Sequence, residues 1–311
     1  MELTLDKDSL AVYKALASDT RLEILDLLAE NPRTATELAE SLKLSKAVLS
    51  RHITQLEKVG LIRLSKSKRS DDNRKKVYAL NVDHADIVFP HKVYFPFLKR
   101  THDIELGYFS DFLTKPTCGL ADSNHVIGKI DDERSFVSKE RIQATLLWVS
   151  QGYVEYKIPN LLESGEQPQM LELSLEISSE YPVSNNAWPS DITFTVNDKQ
   201  VGTWTCPGNY SDVRGKLTPS WWNENFSQYG LLKYLRVNQY GTSIDGDRIS
   251  DINIEDLHLD DSPFLKLRIG VLPEAKNQGG LTIFGRDFGN HPQDITLSLY
   301  YSNPESLAAN Q

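Results

Sequence analysis

Two helix-start signals and one helix-stop signal crowd into the segment from Thr34 to Gly60, and nothing else in the chain limits the fold as much. Thr34 and Glu37 have the spacing of a capping box, in which the two side chains reciprocally satisfy free amides of the first turn of TATELAESLK. Ser45 is a second N-cap, and Gly60 supplies the backbone conformation that ends the helix Ser45 begins. Only a tight turn separates the two helices. In the second, Leu49, Ile53 and Leu56 recur at i, i+4 and i+7, an apolar stripe that must pack on earlier helices. His52, at the edge of that stripe, reads as structural.

The flanks extend the pattern. Leu10, Tyr13 and Ala17 stand at helical spacing, and Asp19 is expected to cap TRLEILDLLAE, whose buried side would carry Leu22, Leu25 and Leu28/Ala29 before Asn31-Pro32 stops it. After Gly60, LIRL at 61–64 and VYAL at 77–80 flank SKSKRSDDNRKK and read as a β-hairpin with a charged tip, a wing. The first domain is therefore expected over 1–82, mainly α, as a winged helix-turn-helix.

Charge is divided along the chain in the same way. Residues 1–82 hold 15 Lys/Arg against 12 Asp/Glu, so the net −9 of the whole leaves −12 on the remainder. Within 43–76, 11 basic residues face only Glu57, Asp71 and Asp72. A cationic patch beside an acidic remainder favours one docking orientation on a polyanion. On the fourth helix Ser45 and Lys46 lie at the start, and Ala47, Ser50, Arg51 and Thr54 share the side opposite the stripe. A slim face with donors suits base edges in the major groove. Lys66, Lys68, Arg69, Arg74, Lys75 and Lys76 of the wing would hold phosphates or the adjacent minor groove.

The segment VYKALASDTRLEILDLLAENPRTATELAESLKLSKAVLSRHITQLEKVGLIRL resembles the ArsR (arsenic-resistance repressor) family, through the ALASDTRLEIL opening, the TELAESLKLS turn, the S-R-H-I-x-x-L-E-K-V-G-L-I recognition helix and the basic wing. The resemblance covers ~70 residues. It implies a homodimer on inverted-repeat operator DNA and repression relieved by a ligand. The cysteine-bearing metal box of the metal-sensing members would fall within TATELAESL, where this chain has no cysteine, so no metal is expected there. His84, His91, His102, Cys118 and His125 are irregularly spaced and read as surface or core residues. Cys118 and Cys206 match no paired-ligand spacing and read as free thiols of a reducing, cytoplasmic compartment. No apolar window approaches the length of a membrane span, so no membrane association is expected.

Residues 83–117, with Pro90, Pro96 and Pro116 among aromatics, read as a connector with extended pieces that could take part in dimerisation. From 118 to 311 the pattern has period two. LELSLEI (Leu171, Leu173, Leu175, Ile177), ITFTV, FLKLRIGV and ITLSLYY are each bounded by turn residues, which indicates an antiparallel β-sandwich or jelly roll. The whole is expected to be an α+β multidomain chain.

A minimal family member stops near residue 100, so ~190 further residues of β structure are expected to sense something. Loops there carry aromatics beside Asp, Asn and Arg, the combination that stacks on the C–H face of a sugar and pairs its hydroxyls. Trp188, Asp212, Arg214, Trp221, Trp222, Arg286, Asp287 and Asn290 are the candidate effector residues, and FTVNDKQVGTW is similar to strands of carbohydrate-binding modules. Trp148 and Trp204, inside alternating strands, are expected in the core, and Gly285 and Gly289 suit a tight turn. The leading reading is a non-enzymatic, cofactor-free, sugar-responsive repressor. Two others stand beside it: a β domain serving only dimerisation or protein contact, and a DNA-tethered carbohydrate-active enzyme. The last is disfavoured because Asp131-Asp132, Glu255-Asp256 and Asp260-Asp261 are adjacent pairs whose carboxylates would point to opposite faces of a strand.

Overall fold

The computed structural model describes residues 1–65, 76–82, 85–88, 97–260 and 262–303. The chain divides into two compact units, residues 1–94 with 212–214, and residues 95–211 with 215–311.

The first unit contains α1 (Leu10–Leu16), α2 (Asp19–Glu30), α3 (Ala35–Ser41) and α4 (Lys46–Lys58). Arg33–Thr34, Ile62–Ser65 and Val77–Leu80 form an antiparallel three-stranded sheet, and Glu2–Thr4 pairs in parallel with Asp86–Val88. Ile24, Leu28, Leu38, Leu49, Ile53 and Leu56 meet in one core that Ile62 and Tyr78 of the hairpin close. The wing arms therefore form as read. Two details of α2 differ from expectation. Ser18 occupies the N-cap with extended backbone, and Asp19 is the first helical residue, where its carboxylate lies at the positive end of the helix dipole. The buried side is Ile24 and Leu28, whereas Leu22 is 48% exposed: at ~100° per residue Leu22 points roughly away from Ile24.

The second unit is an antiparallel β fold of two layers. In one, Leu146–Pro159 pairs with Asp111–Ala121 on one side and Phe264–Val271 on the other, followed by Ser190–Val196 and Lys199–Cys206. In the other, Gln167–Ser178 lies between Ile295–Ser302 and Leu231–Asn238, with Leu98–Ile104 and Gly241–Ile244 outside them. The short strand Leu281–Phe284 pairs with both long strands and joins the layers. Alternate residues fill the space between them: Val154, Tyr156 and Ile158 from one layer, Leu171, Leu173 and Leu175 from the other. The four period-two segments are all strands. FTVNDKQVGTW is a hairpin whose Asn197-Asp198 turn has φ of 48° and 64°, the conformation that matches strand twist in a two-residue connection.

The expected connector is different in kind. Leu98–Ile104 and most of Asp111–Ala121 belong to the sheets, so β structure begins some twenty residues before 118. Pro116 concealed the second strand, since its missing N–H coincides with a register shift between Lys115 and Cys118. Trp148 is buried as expected, but Trp204 is only partly covered, with the Lys233 ammonium 4.9 Å from its ring centre. Both cysteines are free and fully buried, and burial pushes the Cys206 thiol up to about 11.

Candidate nucleic-acid interface and effector site

The turn between α3 and α4 is fixed by its ends. Thr34 Oγ1 accepts from the Glu37 amide at 3.3 Å while Glu37 Oε2 accepts from the Thr34 amide at 2.6 Å, the reciprocal box the sequence implied. Lys43 takes a positive φ of 53° and Leu44 donates its amide to Ala39 O, which turns the chain before Ser45. Ser45 Oγ accepts from the Val48 amide at 3.3 Å, so this hydroxyl serves the cap. At the other end Gly60 has φ of 73°, its amide reaches Glu57 O, and the Leu61 amide reaches Leu56 O, the two bonds of a left-handed helix terminus.

Between these caps α4 is divided cleanly. Leu49, Ile53 and Leu56 are at most 3% exposed, while Lys46, Ala47, Ser50, Arg51 and Thr54 are all exposed. Lys46, Arg51 and the exposed Lys76 make no ion pair among the described residues. Thr54 spends its hydroxyl proton on Ser50 O at 2.8 Å and keeps acceptor capacity. A concavity of about 270 Å³ lies beside this face, with Lys46, Ser50, Thr54, Glu57, Lys76 and Tyr78 among its walls. The other wing cations, Lys66, Lys68, Arg69, Arg74 and Lys75, lie outside the described residues. Sequence reading missed Arg21, whose guanidinium donates to Ala15 O and Lys14 O at the end of α1 and to Gln55 Oε1 on α4. His52 is half-buried, and its Nδ1 finds no partner among the described residues.

The loop residues expected to face an effector differ in exposure. Trp188 and Trp221 are each 38% exposed. Trp188 packs edge-on against Tyr181 at 4.8 Å, and Trp221 Nε1 donates to Ser123 O at 2.7 Å. Trp222 is core: it meets Trp148, Phe226 and Phe288 at 5.4–5.7 Å and donates Nε1–H to Ser227 O. Arg286 Nε donates to Asp294 Oδ2 at 2.6 Å, and Asp287 is half-buried. Asp212 and Arg214 fall in the short segment that groups with the first unit.

The Gly285–Gly289 region is the tight turn expected, and it has a purpose the sequence concealed. Glu176, with no exposure, accepts the amides of Gly230, Asn290 and His291 at 2.9 Å, and Gly289, at φ 73°, leaves the room a Cβ would take from its carboxyl. Burial pushes Glu176 up to about 7 against those three donors. Asn290 thus holds the loop, its Oδ1 also accepting from the Lys216 amide.

A pocket of about 190 Å³ in the second unit was not legible at all. Trp148, Trp222, Phe226 and Tyr181 contribute its aromatic walls, and Glu180 and Asp131 its carboxyls. Of the histidine and cysteine candidates, His84 and His91 lie outside the described residues, and His125 Nδ1 is 3.0 Å from Asp122 Oδ1. Among the described residues no group of three or more His, Cys, Asp or Glu is placed to hold a metal, and no helix is long and apolar enough to cross a membrane.

Four helices, the last two a capped helix-turn-helix, and a β-hairpin beside them make the first unit a winged helix-turn-helix. Residues 18–63 match the family model of the bacterial regulatory protein, arsR family. The chain carries an ArsR-family helix-turn-helix domain at its N-terminus. A curated relative, the transcriptional activator HlyU of Vibrio cholerae, is 36% identical over 58 residues, 19% of this chain and 54% of that protein, so the chain spans about half the relative's length. The solved structure of reduced HlyU from Vibrio cholerae is 32% identical, covering 23% of this chain and 70% of that one, with a TM-score of 0.20. A solution structure from Mycobacterium bovis, described as the homodimeric winged helix-turn-helix DNA-binding domain of a possible ArsR-family transcriptional regulator, is 28% identical, covering 22% and 60%, with a TM-score of 0.20.

Proposed function

We propose that the protein is a cytoplasmic transcriptional regulator that binds operator DNA as a homodimer and changes its DNA affinity when its β unit takes up a small molecule. The observation that carries this reading is the division of α4: a buried stripe fixes the helix while Ala47, Ser50, Arg51 and Thr54 stand exposed on one slim side. Arg51 reads base edges, and Lys46, Lys76 and the wing-tip cations hold phosphates. A two-fold dimer fits the inverted repeats that the family resemblance implies, one recognition helix per half-site.

Repression relieved by ligand is the proposed sign of control, and a promoter–reporter assay separates it from the activation for which HlyU is named. A carbohydrate is the proposed ligand class, supported by the exposed indoles of Trp188 and Trp221. The switch requires that the ligand bind the DNA-holding and DNA-releasing states with different affinity. No enzymatic step is proposed.

The test is fluorescence anisotropy of the full chain on duplex DNA from upstream of its own gene, with and without a panel of mono- and oligosaccharides. Tight binding that falls steeply with salt and is lost in Arg51→Ala supports the reading. Equal binding to random duplex by both proteins removes sequence recognition, and indifference to every sugar removes the carbohydrate.

A further inference from the structure

The aromatic pocket of the second unit lies beneath the exposed indoles on which the carbohydrate reading rests, with Trp188 packed on its wall residue Tyr181 and Trp221 on its wall residue Trp222, and its own chemistry selects a different ligand. Its volume of about 190 Å³ exceeds the ~150 Å³ cavity that admits one benzene, so a small organic molecule fits where a few waters would otherwise sit. Trp148 and Trp222 stand edge to face at 5.7 Å, and Phe226 continues from Trp222 at 5.4 Å. Tyr181, on the same wall, is braced from behind by Trp188. Such rings present negative π faces and positive edges.

Beside the hydroxyls of Thr117, Ser227 and Thr282, the acidic groups of the pocket are two carboxyls. Glu180 Oε2 is 2.7 Å from Thr282 Oγ1 and Oε1 is 3.3 Å from Thr117 Oγ1, and Asp131 lines the same space. None of the described residues lining it is Lys, Arg or His. An anionic ligand would meet two carboxyls and no cation. A neutral ligand would leave Glu180 as it is, whereas a cation would gain from both carboxyls and from the rings.

We propose that this pocket binds a small organic cation, an alkylammonium group lodged among the Trp148, Trp222 and Phe226 rings with its charge facing Glu180.

The hydroxyl geometry adds a signature. Thr282 Oγ1 has one proton and two acceptors within reach, Ser179 O at 3.2 Å and Glu180 at 2.7 Å. The shorter approach takes that proton, so Thr282 donates to Glu180, as Thr117 Oγ1 does at 3.3 Å, and both bonds favour the ionised acid. Desolvation works the other way and pushes the Glu180 pKa up to about 8, with Asp131 adding to the rise. A bound cation reverses this balance, so it displaces the proton as it enters.

The experiment is titration calorimetry of the full chain with choline and with its neutral carbon isostere, 3,3-dimethyl-1-butanol, at pH 7 in two buffers of different ionisation enthalpy. Choline is expected to bind at least ten-fold more tightly than the alcohol and to release a proton, seen as a buffer-dependent heat. Glu180→Gln is expected to weaken choline at least ten-fold and leave the alcohol unchanged. Should Glu180→Gln not fold, the choline-to-alcohol ratio and the proton release in the unaltered protein decide alone. Equal affinity for the two probes, no binding of choline, or choline binding indifferent to Glu180→Gln each overturn the proposal. Because the readout is ligand heat and not DNA binding, its failure leaves the regulator reading standing, and failure of DNA recognition leaves this one.

Discussion

The guanidinium of Arg21 donates to Gln55 Oε1 at 2.7 Å, and through its other nitrogens it holds two carbonyls at the end of α1. One side chain thereby ties α2 to both α1 and the recognition helix, and satisfies carbonyls that a helix terminus leaves open. Arg21→Ala is expected to lower the stability of the first unit by about 1–3 kcal/mol, because its charge-assisted bonds to carbonyls disappear together. Arg21→Lys should recover little, since an ammonium cannot span three acceptors in a plane. Chemical unfolding followed by helical circular dichroism checks it; an unchanged midpoint in Arg21→Ala would mean that these bonds add nothing to stability.

Thr34 anchors the other end of the same motif. With its hydroxyl accepting from Glu37 and the Glu37 carboxylate accepting from its amide, Thr34→Ala should cost about 1 kcal/mol, and Thr34→Ser much less. Gly60→Ala is a companion test of the far end. A Cβ there would find only Asn81 Nδ2 at 3.8 Å, so any loss measures backbone strain at φ 73° and not a clash, and about 1 kcal/mol is expected. Gly60→Asn should be better tolerated than Gly60→Ala.

The two termini were readable because capping chemistry is local: Thr34, Glu37, Ser45 and Gly60 act on amides and carbonyls within one turn of themselves. The stripe of Leu49, Ile53 and Leu56 was readable for the same reason. Arg21 was not, because its acceptors are carbonyls, which every residue has, and one amide far along the chain. In the β unit, the alternation LELSLEI identified the strand but misdirected Glu176, whose side of the strand reads as solvent-facing. The turn around Gly289 covers that side, and nothing near Glu176 in the sequence announces it. Trp222 differs in the opposite sense, since a loop tryptophan beside Asn reads as an exposed face, whereas it is buried against Trp148 and Phe288 and shows only an edge of itself to the pocket beneath.

Two desolvated acids, the fully buried Glu176 and the half-buried Glu180, set a pH dependence for the second unit. Glu176 and Glu180 hold their protons in the folded state to about 7 and about 8, whereas unfolded glutamates release them near their ordinary value of 4.5. Between 4.5 and these values the folded state binds more protons than the unfolded one, so stability falls as pH rises through that window and is greatest, for these groups, below it. Each contributes a slope of at most about 1.4 kcal/mol per pH unit. Denaturation midpoints at about pH 5, 6, 7 and 8 should decline in the native chain and decline less in Glu180→Gln; parallel curves would show that Glu180 is already ionised when folded.

Arg51 and Lys76 are both exposed cations on the first unit, and the proposed regulator reading gives them different work. Arg51 stands on the slim side of α4 with Ala47 and Thr54, where a guanidinium can meet guanine O6 and N7 together, and such a pair discriminates by about 1–3 kcal/mol against the wrong base. Lys76 immediately precedes the returning strand of the hairpin, where on that reading its point charge would meet a phosphate and release a counterion. Arg51→Ala should therefore weaken cognate DNA ten-fold or more while barely changing random duplex, flattening the preference at one base pair of each half-site. Lys76→Ala should weaken both DNAs by a similar factor and reduce the slope of log affinity against log salt by roughly 0.9 for each phosphate no longer neutralised. Binding curves on cognate and random duplex at four salt concentrations separate the two. If Arg51→Ala lowered both affinities equally with a shallower salt slope, Arg51 would be holding the DNA backbone, and base reading would have to come from Ser50, Thr54 or Ala47 instead.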